Sequence, residues 1–121
     1  RGSAKQSTSP IITYKQSQVI ISNMSAKVRV NGKVIARSND YEEVEGNIYF
    51  PSGDVDNDVL EESETTTTCP WKGEASYYHL VVDGERFEDK AWYYPQPKDA
   101  ASHIEDHVAF YTDTVTVEKE A

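Results

Sequence analysis

The amino-acid sequence predicts an all-β protein with little helix. Three observations predict this class: every apolar segment is short, Asn31-Gly32 and Asp83-Gly84 are turn-forming pairs, and apolar and polar residues alternate in several segments. At 121 residues, the chain has the length of one domain. These features are typical of a compact antiparallel sheet protein, either a sandwich or a partly open barrel.

The first half of the chain predicts short strands separated by turns. Asn31-Gly32 is the clearest hairpin signal, because both residues tolerate the positive φ of a tight type I′ turn. The predicted strands span residues 28–30, 33–36, 41–45, 47–50 and 65–68. Residues 54–63 are expected to form one or two helical turns, with Val55, Val59 and Leu60 on one side.

The second half contains the best candidate for a central strand, residues 74–82. Alternation places Tyr77, His79 and Val81 on one side of this strand and Tyr78, Leu80 and Val82 on the other. Asp83-Gly84 predicts a second hairpin turn. Further strands are predicted at residues 85–87, 90–94, 108–111 and 115–117. Residues 98–107 suit a short helix, in which Ala100, Ala101 and Ile104 would face inward.

The chain is predicted to consist of a flexible or extension segment, residues 1–23, and a single domain, residues 24–121. The first ten residues are polar and serine-rich, and the opening Arg-Gly-Ser is typical of a cloning remnant. Residues 11–21 carry enough β-branched side chains for a strand. Met24 is the only methionine and a candidate native start.

The charge distribution limits the expected partners. Residues 24–121 carry 9 basic and 21 acidic side chains, and no basic residue lies between Arg37 and Lys72. A phosphate backbone would be repelled by such a surface, so the sequence predicts no nucleic-acid partner. A solvated acidic face, a metal-binding surface and a surface for a basic partner all fit this pattern.

The cysteine count limits the stabilising chemistry. One cysteine excludes an internal disulfide and the zinc sites that need two or four cysteines. A free thiol fits a reducing compartment, so we expect a cytoplasmic protein. No apolar run approaches the roughly 20 residues that cross a bilayer, which predicts no membrane partner. The sequence indicates no cofactor and leaves the oligomeric state open.

Two dense patches hold the residues with the most chemistry. Cys-Pro-Trp-Lys-Gly occupies residues 69–73, and Ala-Trp-Tyr-Tyr-Pro-Gln-Pro occupies residues 91–97. Together they contain the only cysteine, both tryptophans and one lysine. We therefore predict that both patches contribute to a small-molecule pocket. The candidate ligand-binding residues are Cys69, Trp71, Lys72, Tyr78, Trp92 and Tyr94.

Lys72 is the candidate polar anchor of this pocket. It is the first cation after a long acidic stretch, and Gly73 beside it would allow the backbone to approach a ligand closely. A lysine here could bind a carboxylate or phosphate as a point charge. The alternative is an ion pair with Glu74 or with an acid in residues 54–64.

Cys69 and the aromatic residues each have two interpretations. Lys72 and His79 could activate the Cys69 thiol as a nucleophile, or Cys69 could be a small buried side chain. Trp92 and Tyr94 share one strand face by the period of two. Their rings could line a pocket for a flat or cationic ligand, or they could simply pack in the core.

Two further groups suggest metal chemistry without a complete ligand set. Asp54, Asp56 and Asp58 alternate after a Ser-Gly pair, which is a compressed form of the carboxylate pattern of magnesium-dependent nucleotidyl transfer. A solvated acidic turn and a weak calcium site are the alternatives. His103 and His107 have the spacing of a metal clamp on a helix, but no third ligand is evident. We therefore predict no metal site.

Three motifs in register give the chain a family resemblance. They are the Cys-Pro-Trp-Lys-Gly motif, the Ala-Trp-Tyr-Tyr motif with Pro97, and Val-Ala-Phe-Tyr at residues 108–111. Over about residues 26–118 the chain resembles a family of small bacterial and fungal proteins catalogued as a domain of unknown function. That family also carries a nucleotidyltransferase label.

The resemblance implies a β-tent-like pair of antiparallel sheets with one or two short helices. This fold group includes methionine sulfoxide reductase B and the drug-binding domain of cereblon, and its ligands lie near the apex of the two sheets. Many tent proteins hold a structural zinc with two Cys-x-x-Cys pairs. One cysteine cannot supply that site, so we expect a fold without structural zinc, and the thiol would have no resolving partner within the chain.

We therefore expect an uncharacterised domain that binds a small molecule or a modified side chain in an aromatic pocket. Trp92 and Tyr94 would form the walls, Lys72 the anchor and Cys69 the rim. The alternatives are a metal-dependent nucleotidyltransferase-type enzyme, a thiol-based enzyme with Cys69 as its catalytic residue, and an acidic protein-interaction module. The sequence does not decide whether the protein is an enzyme.

Overall fold

The computed structural model describes residues 24–120, which form two antiparallel sheets. The strands are β1 (Ser25–Val30), β2 (Lys33–Ser38), β3 (Glu42–Val44), β4 (Asn47–Pro51), β5 (Leu60–Cys69), β6 (Gly73–Val82), β7 (Glu85–Tyr93), β8 (His107–Phe110) and β9 (Thr116–Glu120). The small sheet has the order β2-β1-β9 and the large sheet the order β3-β4-β8-β7-β6-β5. The prediction of an all-β fold with two antiparallel sheets is confirmed. The expectations for residues 1–23, including a strand at residues 11–21, lie outside the described residues.

Tight turns connect the hairpins where the sequence predicts them. Asn31 and Gly32 have φ values of 51° and 82°, and Asp83 and Gly84 have φ values of 51° and 81°. Glu45 forms a third turn of this kind with the following glycine, at a φ of 55°. These positive φ values suit the right-handed twist of the paired strands. The Glu45 turn carries its carboxylate to the edge of the large sheet.

The helical content is confined to three short 3-10 helices in the described part of the chain, and none is long or apolar enough to cross a membrane. They span Ser52–Asp54, Asn57–Val59 and Asp99–Ile104. The predicted helical turns at residues 54–63 are therefore only partly correct. Val59 is buried in the second helix, but Leu60 begins β5 by pairing with Leu80 of β6. Sheet pairing overrides the local helical spacing from this point onward.

Strand β7 joins two segments that the sequence predicts as separate strands. Its pairing with β6 shifts register between Tyr78 and Leu80, which leaves Asp89 in a bulge with a φ of 56°. The Asp89 N–H donates to His79 Nδ1 at 3.0 Å, and its carboxylate accepts from the Ser63 hydroxyl at 2.6 Å. The bulge is thus fixed by polar contacts to the adjacent strand β6 and to β5 beyond it.

The two faces of the large sheet differ in chemistry. One face packs against the small sheet around aliphatic residues and phenylalanine, including Val28, Phe50 and Leu80. The other face carries a second buried cluster that contains Tyr49, Tyr77 and Trp92. Successive side chains along a strand point to opposite faces, so Tyr49 and Phe50 belong to different clusters. The predicted alternation along residues 74–82 is confirmed in the same way.

The 3-10 helix Asp99–Ile104 covers part of the second face. Ala101 and Ile104 are fully buried there, whereas Ala100 is exposed. The prediction that Ala100 faces inward is therefore wrong. A 3-10 helix has three residues per turn, so Ala101 and Ile104 lie on the same side and Ala100 lies on another.

Replacing Ile104 with alanine should destabilise the protein by about 2–5 kcal/mol, because the change leaves a cavity beneath this helix. Urea unfolding followed by tryptophan fluorescence measures the loss. Val34 is 39% exposed, so the matched Val34→Ala variant should stay within about 0.5 kcal/mol of the wild type. Equal losses in the two variants would contradict the described burial of Ile104.

Candidate functional site

Lys72 is an unusual buried charge in the turn between β5 and β6. It is 6% exposed, whereas the preceding Trp71 is 39% exposed. Lysine is almost never buried so fully unless it has a partner. The turn therefore directs its one cation into the protein and leaves the indole at the surface.

Gly73 allows this turn to meet the segment after β7. It adopts a φ of 113°, and a Cβ there would lie 3.3 Å from the Gln96 carbonyl oxygen. The Lys98 N–H donates to the Lys72 carbonyl at 2.9 Å, and Lys98 Nζ donates to the Pro70 carbonyl at 2.7 Å. The two motif-bearing segments, which are distant in sequence, are thus joined directly by backbone contacts.

A cavity of about 300 Å³ opens beside the buried lysine. It is rich in aromatic residues. Its lining residues are Asn47, Tyr49, Lys72, Tyr77, Trp92, Tyr94, Phe110, Tyr111 and Thr112. Three of the residues that the sequence predicts for a pocket, Lys72, Trp92 and Tyr94, therefore border one cavity. Tyr49, Tyr77 and Tyr111 were missed, because these tyrosines come together only when β4 pairs with β8, β8 with β7 and β7 with β6.

The other predicted site residues lie at the edge of the cavity or away from it. Cys69 and Trp71 do not border the cavity. Cys69 is half-buried and packs against the aromatic cluster, and Trp71 lies at the outer surface. The structure corrects the placement of Tyr78. Its ring packs toward the opposite face of the sheet and stacks on Tyr93 with 4.5 Å between centroids. Tyr78 shares a face with Leu80 and not with Tyr77, because successive residues of a strand alternate.

The charge partner of Lys72 is Glu45. The ammonium donates to Glu45 Oε1, while Trp71 Nε1 donates to Glu45 Oε2 at 3.3 Å. The prediction of a partner at Glu74 or in residues 54–64 is wrong, because the β3–β4 turn reaches this corner of the sheet. In the sequence, the only feature that marked Glu45 was its position as an acidic residue directly before a glycine in a turn.

The ion pair changes the acidity of both groups. Burial by itself lowers the pKa of Lys72, but the hydrogen bond to Glu45 and the nearby Tyr94 and Tyr49 raise it, and the net change is upward. The hydrogen bonds from Lys72 and Trp71 lower the pKa of Glu45. Lys72 Nζ also lies 5.0 Å from the Trp71 ring centroid and 5.8 Å from that of Tyr94, which favours the charged ammonium.

The tyrosine hydroxyls give the cavity a neutral polar lining. Burial raises the pKa of Tyr94 and of Tyr111 to about 12. Trp92 Nε1 donates to the Tyr49 hydroxyl at 3.2 Å, and the two rings meet edge to face with 6.1 Å between centroids. The Tyr111 ring lies 4.6 Å from that of Trp92. At neutral pH the hydroxyls are therefore protonated, and each can donate or accept a hydrogen bond.

The surroundings of Cys69 lower the pKa of its thiol. Backbone hydrogen bonds from Lys72 and Trp71 lower the pKa of the thiol against the opposing effect of burial. The sequence interpretation also placed His79 near this sulfur, which is wrong. Cys69 pairs with Gly73 and His79 pairs with Glu61, so His79 is roughly 20 Å farther along the strand.

Comparison with known proteins agrees with the family resemblance. A family model described as Domain of unknown function (DUF427), with the label NTP_transf_9, matches residues 18–121. The chain belongs to the DUF427 family. No curated protein sequence matches this DUF427 chain. The family membership therefore agrees with the three motifs, and it assigns no activity.

The metal chemistry suggested by the family label finds little geometric support. Within residues 24–120, no three His, Cys, Asp or Glu side chains gather closely enough to hold a metal ion. The Asp56 carboxylate instead accepts the Asp58 N–H at 3.0 Å, which caps a 3-10 helix. His103 and His107 do not share a helical face, because the helix ends at Ile104. The Asp56 carboxylate therefore has a local structural role, and the two histidines lack the shared helical face that the metal-clamp hypothesis needs.

The Gly73→Ala variant should destabilise this DUF427 domain by about 1–3 kcal/mol, since a Cβ at this positive φ is strained and crowds Gln96. Chemical denaturation gives the change in free energy of unfolding. Gly53 has open space around it, so Gly53→Ala should stay within about 1 kcal/mol of the wild type. If Gly73→Ala were as stable as Gly53→Ala, the close approach of the two motif segments would be refuted.

Proposed function

We propose that this DUF427 domain binds a small, flat organic molecule, or a modified peptide side chain of similar shape, in the aromatic cavity. Small-molecule sites are concave and supplied with a few convergent polar groups that fix the orientation of the ligand. The cavity of about 300 Å³ is at the small end of such sites, and its lining combines aromatic rings, tyrosine hydroxyls and one ammonium. Its size suits a ligand of one or two rings.

The observation that carries the proposal is the burial of Lys72 beside this cavity. Removing an ammonium from water costs several kcal/mol, and replacing a buried ion pair by well-packed apolar residues often stabilises a protein. A purely structural position would therefore favour an apolar side chain. A lysine that borders an aromatic cavity instead supports a binding role, with Lys72 as the anchor and Trp92 and Tyr94 as walls.

The thiol-based enzyme and the acidic protein-interaction module have weaker support. Thiol catalysis at Cys69 would need a base, and His79 is too far along β6 to act as one. An acidic interaction surface remains an alternative, although several acids already pair within the chain, including Glu61 with Arg86 and Asp113 with Lys90. The cytoplasmic location also remains a prediction that rests on the single free thiol.

A panel of small planar compounds should contain members that raise the melting temperature of the wild-type protein, because binding to the native state stabilises it. Trp92→Phe should weaken the binding of these compounds by about tenfold, as expected for a ring contact worth about 1 kcal/mol and a lost indole donor. Isothermal titration of the wild type and the variant measures the change.

Tyr78→Phe is the matched control, because Tyr78 belongs to the same sheet but packs on its opposite face. Binding by this variant should equal that of the wild type. If Trp92→Phe and Tyr78→Phe bound every active compound as the wild type does, the ligand would lie elsewhere and the proposed site would be rejected.

A further inference from the structure

The contacts of Glu45 describe a seat for a carboxylate. Lys72 Nζ donates to Glu45 Oε1, and Trp71 Nε1 donates to Oε2 at 3.3 Å. Each carboxylate oxygen thus has one donor of its own. We call these two donors, Lys72 Nζ and Trp71 Nε1, the carboxylate seat. A charge-assisted hydrogen bond is about twice as strong as a neutral one, so the lysine provides most of the attraction.

The two partners of the ion pair are buried to very different degrees. The Lys72 side chain is 8% exposed, whereas that of Glu45 is 51% exposed. Glu45 also belongs to a tight turn at the end of β3, a strand of only three residues. Its carboxylate can therefore move into water at little desolvation cost, but the ammonium cannot follow it. The seat then requires another anion.

The cavity reaches the same ammonium from another direction. Lys72 borders the cavity and Glu45 does not. Tyr94 borders the cavity as well, and its ring centroid lies 5.8 Å from Lys72 Nζ. A ligand ring between the aromatic walls would thus lie within a few ångströms of the ammonium. An acid group on that ring could replace the Glu45 carboxylate.

We propose that the ligand of this cavity is a planar carboxylate and that Glu45 is a built-in competitor for its place on Lys72. This inference rests on the proposed function and narrows its ligand class. The seat offers one donor to each of two oxygens, which matches a carboxylate better than the three oxygens of a phosphate. The net charge of the chain, −9, also disfavours a doubly charged ligand.

A second cavity gives the ligand room to extend. It has a volume of about 240 Å³ and shares Asn47, Phe110 and Thr112 with the first cavity. Glu43 and Lys119 border it and form another ion pair, at 3.1 Å. The planar carboxylate could therefore be a free aromatic acid, or the aromatic C-terminal residue of a peptide whose preceding residues occupy the second cavity.

Titration with matched acids and amides tests this inference. The probes are benzoate and nicotinate with their neutral amides, phenyl phosphate, and a tripeptide that ends in phenylalanine as free acid or as amide. Chemical shifts of the Trp92 indole report on occupation of the first cavity. Acids should bind at least about tenfold more tightly than their amides, because only the acids form a hydrogen bond between two charged groups with Lys72.

Glu45→Gln is the decisive variant. It removes the competing charge, so the affinity for acids should rise several-fold while the affinity for amides stays unchanged. Glu61→Gln is the matched control: it removes a carboxylate of the same exposure, 51%, from the ion pair with Arg86, which borders neither cavity, and it should leave benzoate binding unchanged. Lys72→Met should abolish the preference for acids over amides.

Each result decides between the claims. If acids and amides bound equally and Glu45→Gln changed neither, the carboxylate inference would be overturned while the proposed aromatic site would stand. Tighter binding of phenyl phosphate than of benzoate would also overturn it. If no probe changed the chemical shifts of the Trp92 indole in any variant, the proposed function would be rejected as well. A response to the peptide acid alone would support the inference and assign the ligand to a protein C-terminus.

Discussion

The ion pair between Lys72 and Glu45 is the constraint on which the site depends. An ammonium removed from water needs a compensating anion, and an exposed turn of another hairpin supplies it. This requirement links the β5–β6 turn to the β3–β4 turn, two elements that are far apart in the sheet order. The backbone contact between Lys98 and Lys72 then adds the segment after β7. Three chain segments thus converge at the corner that holds this buried charge.

The division of the large sheet into two chemical faces explains why the cavity is aromatic. Aliphatic side chains and phenylalanine fill the space between the sheets, where two apolar surfaces pack without water. Tyr49, Tyr77, Trp92 and Tyr94 occupy the outer face, part of which a short 3-10 helix covers within the described residues 24–120. These residues suit a partly covered surface, because each has a large apolar ring and a polar atom that needs a partner. A sheet face with incomplete cover and amphipathic side chains is thus a natural location for a ligand.

Much of the fold was predictable from the sequence because it depends on local signals. Asn31-Gly32 and Asp83-Gly84 marked their hairpins, and alternation assigned Tyr77 and Leu80 to opposite faces. The errors arose where distant contacts decide the outcome. Nothing in the sequence paired Lys72 with Glu45, because that contact depends on the order of strands in the sheet. Tyr78 was grouped with the pocket although the same alternation excludes it once Tyr77 is known to face the cavity. The DUF427 match confirmed the predicted family but left the chemistry to be argued from the site.

The most direct test of this account is the titration of the Lys72 ammonium, followed by nuclear magnetic resonance of its side chain. Burial lowers the pKa of Lys72, but the hydrogen bond to Glu45 and the neighbouring Tyr94 and Tyr49 raise it to a net value above the ordinary 10.5, so the stabilising charge should be present below pH 10.5 and lost as the pH rises through the higher folded value. The midpoint of the Lys72 titration should lie above 10.5 in the wild type. It should be lower in Glu45→Gln, because burial remains there without the counter-charge. A wild-type midpoint at or below 10.5, unchanged by that substitution, would show that Glu45 does not hold the lysine, and the account of the site would be contradicted.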